Sequence, residues 1–201
     1  MSSEITMKLS GFLFLLILFL YFIKIALGNV DDKENDPDAE LRKITKSPGK
    51  YRVSIIVGFI HHISVITLSI LLFIGFGAYN LLLGLIWLIF RVGEGLILAS
   101  NEKSYWELRK VAAEYSTHSG DKKNSYIHLA LLTLQRKYSR FSLAMFCWSI
   151  GTLAFSVTLV PSGAVPFSLG VLGIAAGVFS FLQNGLYLST RKYYSVLSIL
   201  V

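Results

Sequence analysis

Apolar residues in this chain are gathered into long runs instead of being spread with the period of a soluble helix or strand. The runs cover residues 9–28, 53–77, 80–100, 141–160 and 167–188. Each is close to the ~20 residues that carry an α-helix across a bilayer. Tyr79-Asn80 is a tight, uncharged turn, so the second and third runs form a hairpin. The segment PSGAVP at 161–166 is a similarly short, uncharged turn.

Two polar segments separate the runs. Residues 29–52 begin acidic (Asp31, Asp32, Glu34, Asp36, Asp38, Glu40) and end basic (Arg42, Lys43, Lys46, Lys50, Arg52). With Pro37 and Pro48 they read as an exposed linker with a helical turn between the prolines. The acidic residues lack the glycine and closing glutamate of a calcium loop. Residues 101–140 form the larger segment. SYWELRKVAAEY at 104–115 predicts an amphipathic helix, with Tyr105, Leu108, Ala112 and Tyr115 near one face. Trp106, Arg109 and Lys110 suit it to lying along the membrane interface. STHSGDKK at 116–123 breaks this helix, and residues 126–138 are helical again and lead into the fourth run.

The predicted class is an all-α integral membrane protein. It is one membrane domain over residues 1–201, a bundle of about five transmembrane helices with an amphipathic cytoplasmic helix between the third and fourth. Two readings of the first run compete. Ala26-Leu27-Gly28 could be a signal cleavage site, but the run is long for a signal core, which favours a retained helix with Lys24 snorkelling at its end. The last residues, 193–201, are too short an apolar stretch to span; they read as an interfacial tail or the start of a longer segment.

Composition agrees with the pattern: 54% of residues are hydrophobic and mean hydropathy is +0.61, outside the range of soluble domains. The formal charge of +7 raises nucleic acid as a partner. The basic residues sit between hydrophobic runs, which is the signature of membrane orientation, so no nucleic-acid partner is expected. The segment after run one holds Lys33, Arg42, Lys43, Lys46, Lys50 and Arg52. The segment after run three holds Lys103, Arg109, Lys110, Lys122, Lys123, Arg136, Lys137 and Arg140, and the tail holds Arg191 and Lys192. The short turns hold none. Basic segments on the inside put the N-terminus outside and the C-terminus in the cytoplasm of a cell membrane. The single cysteine, Cys147, excludes an internal disulfide.

The candidate chemistry lies inside the runs. Arg91 and Glu94, three residues apart on one helical face, form a potential ion pair where charge is costly. Counted from the cytoplasmic surface at 1.5 Å per residue, His61, His62, Arg91, Glu94, Gln183 and Asn184 all lie roughly 8–14 Å deep and so share one layer. Ser149, Thr152 and Ser156 line the fourth helix. The spacing Ser54, Gly58, His61, Val65, Ser69 turns His61 toward Arg91 and Glu94 and leaves His62 at the edge. Gly170, Gly173, Gly177, Ser180 and Asn184 make a small-residue face on the fifth helix that points inward. The pocket candidates are therefore His61, His62, Arg91, Glu94, Ser149, Gln183 and Asn184. The same residues also read as a neutralised ion pair with amides and histidines filling leftover donors and acceptors. No catalytic residue, metal site or cofactor is predicted: adjacent histidines point about 100° apart, and no hydrolase or nucleotide motif occurs.

From Tyr51 onward the chain resembles a family of small prokaryotic multi-pass membrane proteins known only as a domain of unknown function. FRVGEGLILAS is similar to that family's Arg-x-x-Glu in a membrane helix. PSGAVPFSLGVLGIAAGV is similar to its Ser-Gly-x-x-Pro turn followed by a Leu-Gly-Val-Leu-Gly helix. The resemblance implies a fold and a shared polar pair, and no activity.

The expected function is a membrane protein with an intramembrane polar pocket, binding a small ligand or serving as a membrane-complex subunit, in contact with the lipid bilayer and with a membrane-protein partner or a second copy of itself. The alternative is a proton-coupled transporter or intramembrane enzyme using Glu94 and His61. The lack of an internal repeat counts against a secondary transporter.

Overall fold

The computed structural model describes residues 3–28 and 36–197, with side chains described for residues 4–28 and 36–189. The chain is all-α: helices α1 (Ser3–Ala26), α2 (Pro37–Lys46), α3 (Pro48–Phe76), α4 (Leu81–Thr117), α5 (Asp121–Ser162) and α6 (Phe167–Leu197). Five of them contain stretches long and apolar enough to cross a membrane: Glu4–Ala26, Pro48–Phe76, Leu81–Thr117, Asp121–Ser162 and Phe167–Ser189. Their outer faces expose large apolar side chains, among them Phe12, Phe19, Leu172 and Phe179. Water would penalise such a surface, whereas acyl chains solvate it.

The polar segments are more ordered than the sequence reading had them. No glycine or proline interrupts residues 96–119, and α4 runs unbroken for 37 residues. Helix α5 runs for 42. At 1.5 Å per residue these are about 56 and about 63 Å long, roughly twice a bilayer's hydrocarbon thickness. The amphipathic segment 104–115 is thus the continuation of a membrane helix and not a separate helix lying along the interface. The break is confined to the turn at Gly120, whose φ of +62° suits a residue without Cβ.

The second half of the charged linker is likewise structured. Asp36 caps α2, accepting a hydrogen bond from the Asp38 amide at 3.2 Å, and Pro37 occupies the first turn. Leu41 and Ile44, three residues apart, are fully buried. The early acidic residues, 31–34, lie outside the described residues, as do 198–201. Helix α6 passes Arg191 and Lys192 and ends at Leu197, so the basic pair does not close it.

Chain contacts divide the protein into two compact units. The first comprises residues 1–14, 65–95 and 142–201; the second comprises 15–64 and 96–141. In the first, α6 packs on α5 through its small-residue face. A Cβ at Gly170 would come 2.7 Å from Val160, at Gly173 2.7 Å from Ser156 and at Gly177 3.1 Å from Leu153. Only glycine permits that approach. Trp87 stacks on Phe155 at 4.5 Å and donates from Nε1 to the Ser69 carbonyl at 3.1 Å. The second unit has its own apolar core of Leu41, Ile44, Tyr51, Ile55, Tyr105, Leu108, Val111, Ala112, Tyr115, Ala130, Leu134 and Tyr138. The face predicted to rest on lipid is therefore the face that holds α2, α3, α4 and α5 together.

Candidate functional site

Two groups of buried polar side chains stand out, one in each unit. In the first unit, Arg91 Nη1 donates to Glu94 Oε2 across one helical turn. Their side chains are 11% and 6% exposed, so water screens the pair little. The guanidinium lies 5.2 Å from the Trp87 ring, and its stem packs where a Cβ at Gly151 would stand, 2.9 Å from Arg91 Cγ. Arg91 Nε is buried without a hydrogen-bond partner among the described residues. On the same helix as Gly151, Ser149 is fully buried and accepts from Asn184 Nδ2 at 2.9 Å. Asn184 thus points inward as its small-residue face implies. Gln183 does not join it: it lies on the exposed side of α6.

The second unit corrects the assignment of the histidines. His62 is the buried one, at 4% exposure, and His61 is half-buried. The inward face of α3 runs through Ser54, Gly58, His62, Val65 and Ser69. From Gly58 to Val65 a helical face can step by three and then four residues, through His61, or by four and then three, through His62. The spacing alone admits both, and the fold takes the second.

His62 meets Glu102. His62 Nε2 lies 3.2 Å from Glu102 Oε1. Lys24 Nζ lies 3.9 Å from the same oxygen. His61 Nδ1 and His62 Nδ1 are 3.4 Å apart. The Lys24 and Glu102 side chains are 7% and 6% exposed. Glu102 reaches this position because α3 has glycine opposite it. A Cβ at Gly58 would overlap the carboxylate, 2.8 Å from its Cδ. The Tyr105 ring closes one side of the group, with Lys24 Nζ 5.9 Å and Lys137 Nζ 4.5 Å from its centre.

The sequence reading missed both Lys24 and Glu102. The sequence pattern puts Lys24 at the interface and Glu102 in the polar segment 101–140. A signal was present: the inward face of 104–115 steps back by threes and fours from Tyr105 to Glu102, Leu98 and Glu94. All of these are buried.

The family of this helical chain with five apolar spans follows from a family model that matches nearly all of it. The chain belongs to the family described as Domain of unknown function (DUF4386). The DUF4386 match covers residues 9–201. It therefore begins in α1 and takes in Lys24 and the α2 region, which the resemblance drawn from Tyr51 onward had left outside. No curated protein and no solved structure matches the chain.

The chemistry open to the second-unit group follows from its atoms. A neutral imidazole carries one N–H, so one ring nitrogen donates and the other accepts. With Nε2–H of His62 donating to Glu102, its Nδ1 accepts from Nδ1–H of His61. That tautomer choice gives a continuous path from half-buried His61 to the buried carboxylate. Lys24 and Glu102 offset each other, buried Lys137 beside Tyr105 adds a positive charge, and protonation of His62 adds one more.

Proposed function

We infer a function for this multi-pass membrane protein of the DUF4386 family from its buried polar groups. We propose that it is proton-responsive: His62, set between Glu102 and His61, takes up and releases a proton, and its charge state sets the packing of α1, α3 and α4. The supporting observation is the contact between His62 and a buried carboxylate that already faces Lys24. Imidazole changes charge near neutral pH, and buried ionisable residues in membrane helices are commonly functional. The test is the melting temperature of the protein in lipid nanodiscs from about pH 5 to about pH 8. Wild type should show a pH-dependent midpoint that His62→Gln removes and His61→Gln reduces. Identical pH profiles for wild type and His62→Gln would end the proposal.

A second reading has its own support. Among the described residues, buried Arg91 Nε has no hydrogen-bond partner beside the Glu94 pair, which favours a polar pocket for a small anionic ligand or a membrane-complex partner. Mass spectrometry of protein purified in native lipid would reveal such a ligand, and an Arg91→Lys variant should lose it. Glu94 is engaged by Arg91 and His61 by His62, so the Glu94–His61 enzyme reading gains no support. The charge pattern supports a cell-membrane location with the N-terminus outside and the C-terminus in the cytoplasm.

A further inference from the structure

The second unit carries a basic recess apart from the histidine group. It has a volume of about 310 Å³ and is lined by Leu27, Lys43, Lys46, Ser47, Lys50 and Tyr51. Leu27 follows directly on the last residue of α1, and Ser47 joins α2 to α3. The recess therefore lies where two apolar helices leave the lipid. Lys43 is partly committed: it donates to the Gly28 carbonyl and stands 3.7 Å from Glu40. Among the described residues no carboxylate pairs with Lys46 or Lys50. The positive end of the 29-residue helix α3 begins at Pro48, between these two lysines.

We propose that this recess holds the phosphate of an anionic phospholipid. Three ammonium groups and a serine hydroxyl match a phosphate diester, for which lysine is an established point-charge partner. The remaining lining, the Leu27 side chain and the Tyr51 ring, is largely carbon surface and matches the glycerol and first acyl carbons. A soluble phosphate has no use for that half of the lining. The last turns of α1 expose Phe22 and Ile25, an apolar surface suited to acyl chains on the helix that ends at the recess. Basic pockets at the ends of membrane helices are where anionic headgroups bind.

The test is native mass spectrometry of the purified protein released from mixed micelles holding equal phosphatidylglycerol and phosphatidylcholine, with inorganic phosphate and glycerol phosphate as separate probes. Wild type should retain phosphatidylglycerol over phosphatidylcholine. A juxtamembrane lysine contributes roughly a factor of five, so Lys46→Gln/Lys50→Gln should lower phosphatidylglycerol retention by about 30-fold. Lys122→Gln/Lys123→Gln, which removes equal charge from the start of α5, should leave it unchanged. Both variants keep Lys43 and its carbonyl contact, and an unchanged melting temperature confirms that they fold. Equal retention by the two double variants overturns the proposal. So does glycerol phosphate or inorganic phosphate binding with the same lysine dependence and no gain from the acyl chains, since the recess would then serve a soluble anion.

Discussion

Removing one charge from the Lys24–Glu102 pair should cost far more than removing both. At 3.9 Å, opposite charges attract by about 4 kcal/mol at an effective dielectric constant of about 20. The desolvation of the two groups offsets most of that, so the intact pair adds little net stability. Removing one partner is different, because the attraction is lost while the other charge stays buried, at about 3–5 kcal/mol. Glu102→Gln keeps the side chain's size and a hydrogen-bonding oxygen for His62. Lys24→Met keeps the length of the stem. For a protein of this length each kcal/mol moves the melting temperature by about 2–4 °C, so each single substitution should lower it by about 6–20 °C. The double substitution restores neutrality and should lose less than the sum of the singles by about 2 kcal/mol or more. The single, half-buried Cys147 is a built-in reporter: a thiol-reactive dye follows unfolding as the cysteine becomes accessible. Losses that add within about 0.5 kcal/mol would refute the pairing.

Other expectations follow from the same contacts. Gly58→Ala should cost about 1–3 kcal/mol by forcing the Glu102 carboxylate aside, and should cost little in a Glu102→Ala background; thermal melts showing equal cost in both backgrounds would reject the close approach. Arg91→Ala and Glu94→Ala should each be strongly destabilising, by about 3–5 kcal/mol, with the double substitution milder than their sum in the same assay. The Tyr115 phenol, donating to Asp38 at 2.6 Å, and the Arg42 guanidinium hold the Asp38 carboxyl below its ordinary value of 3.8. A carboxyl depressed in the folded state contributes stability above that ordinary value and loses it as pH falls through the lowered one. Tyr115→Phe should therefore be less stable than wild type at neutral pH, with the gap closing below about pH 4 in a pH series of melts. Cysteines placed at Gly120 and Gly163 in a Cys147→Ser background should react with an impermeant thiol reagent in intact cells only at 163; labelling only at 120 would reverse the proposed orientation.

Much of the fold is visible in the hydropathy runs because a bilayer demands about 20 consecutive apolar residues, and little else produces them. The Arg91–Glu94 pair was legible for a similar reason: two opposite charges at helical spacing inside such a run have few alternatives. The glycine face of α6 was legible because close helix packing needs small residues at threes and fours. What stayed hidden lay near the ends of the runs. Lys24 and Glu102 sit where a charge is equally at home in water, so burial leaves no mark on composition. His61 and His62 differ by one residue within a face that accepts either step. Leu41 and Ile44 are two apolar residues in a charged stretch, and their burial depends on Tyr105, Leu108 and Tyr115 from a helix far along the chain. Each of these was decided by tertiary contacts between distant segments.

The central claim, that His62 exchanges a proton beside Glu102, is tested most directly by nitrogen NMR of histidine-labelled protein in bilayers, titrated from about pH 5 to about pH 8. The account predicts that the resonance lost in His62→Gln moves from its neutral to its charged position within that range. It also predicts that Glu102→Gln changes the midpoint, while Glu94→Gln does not. A His62 signal that stays in one charge state throughout, or that ignores Glu102→Gln, would contradict it.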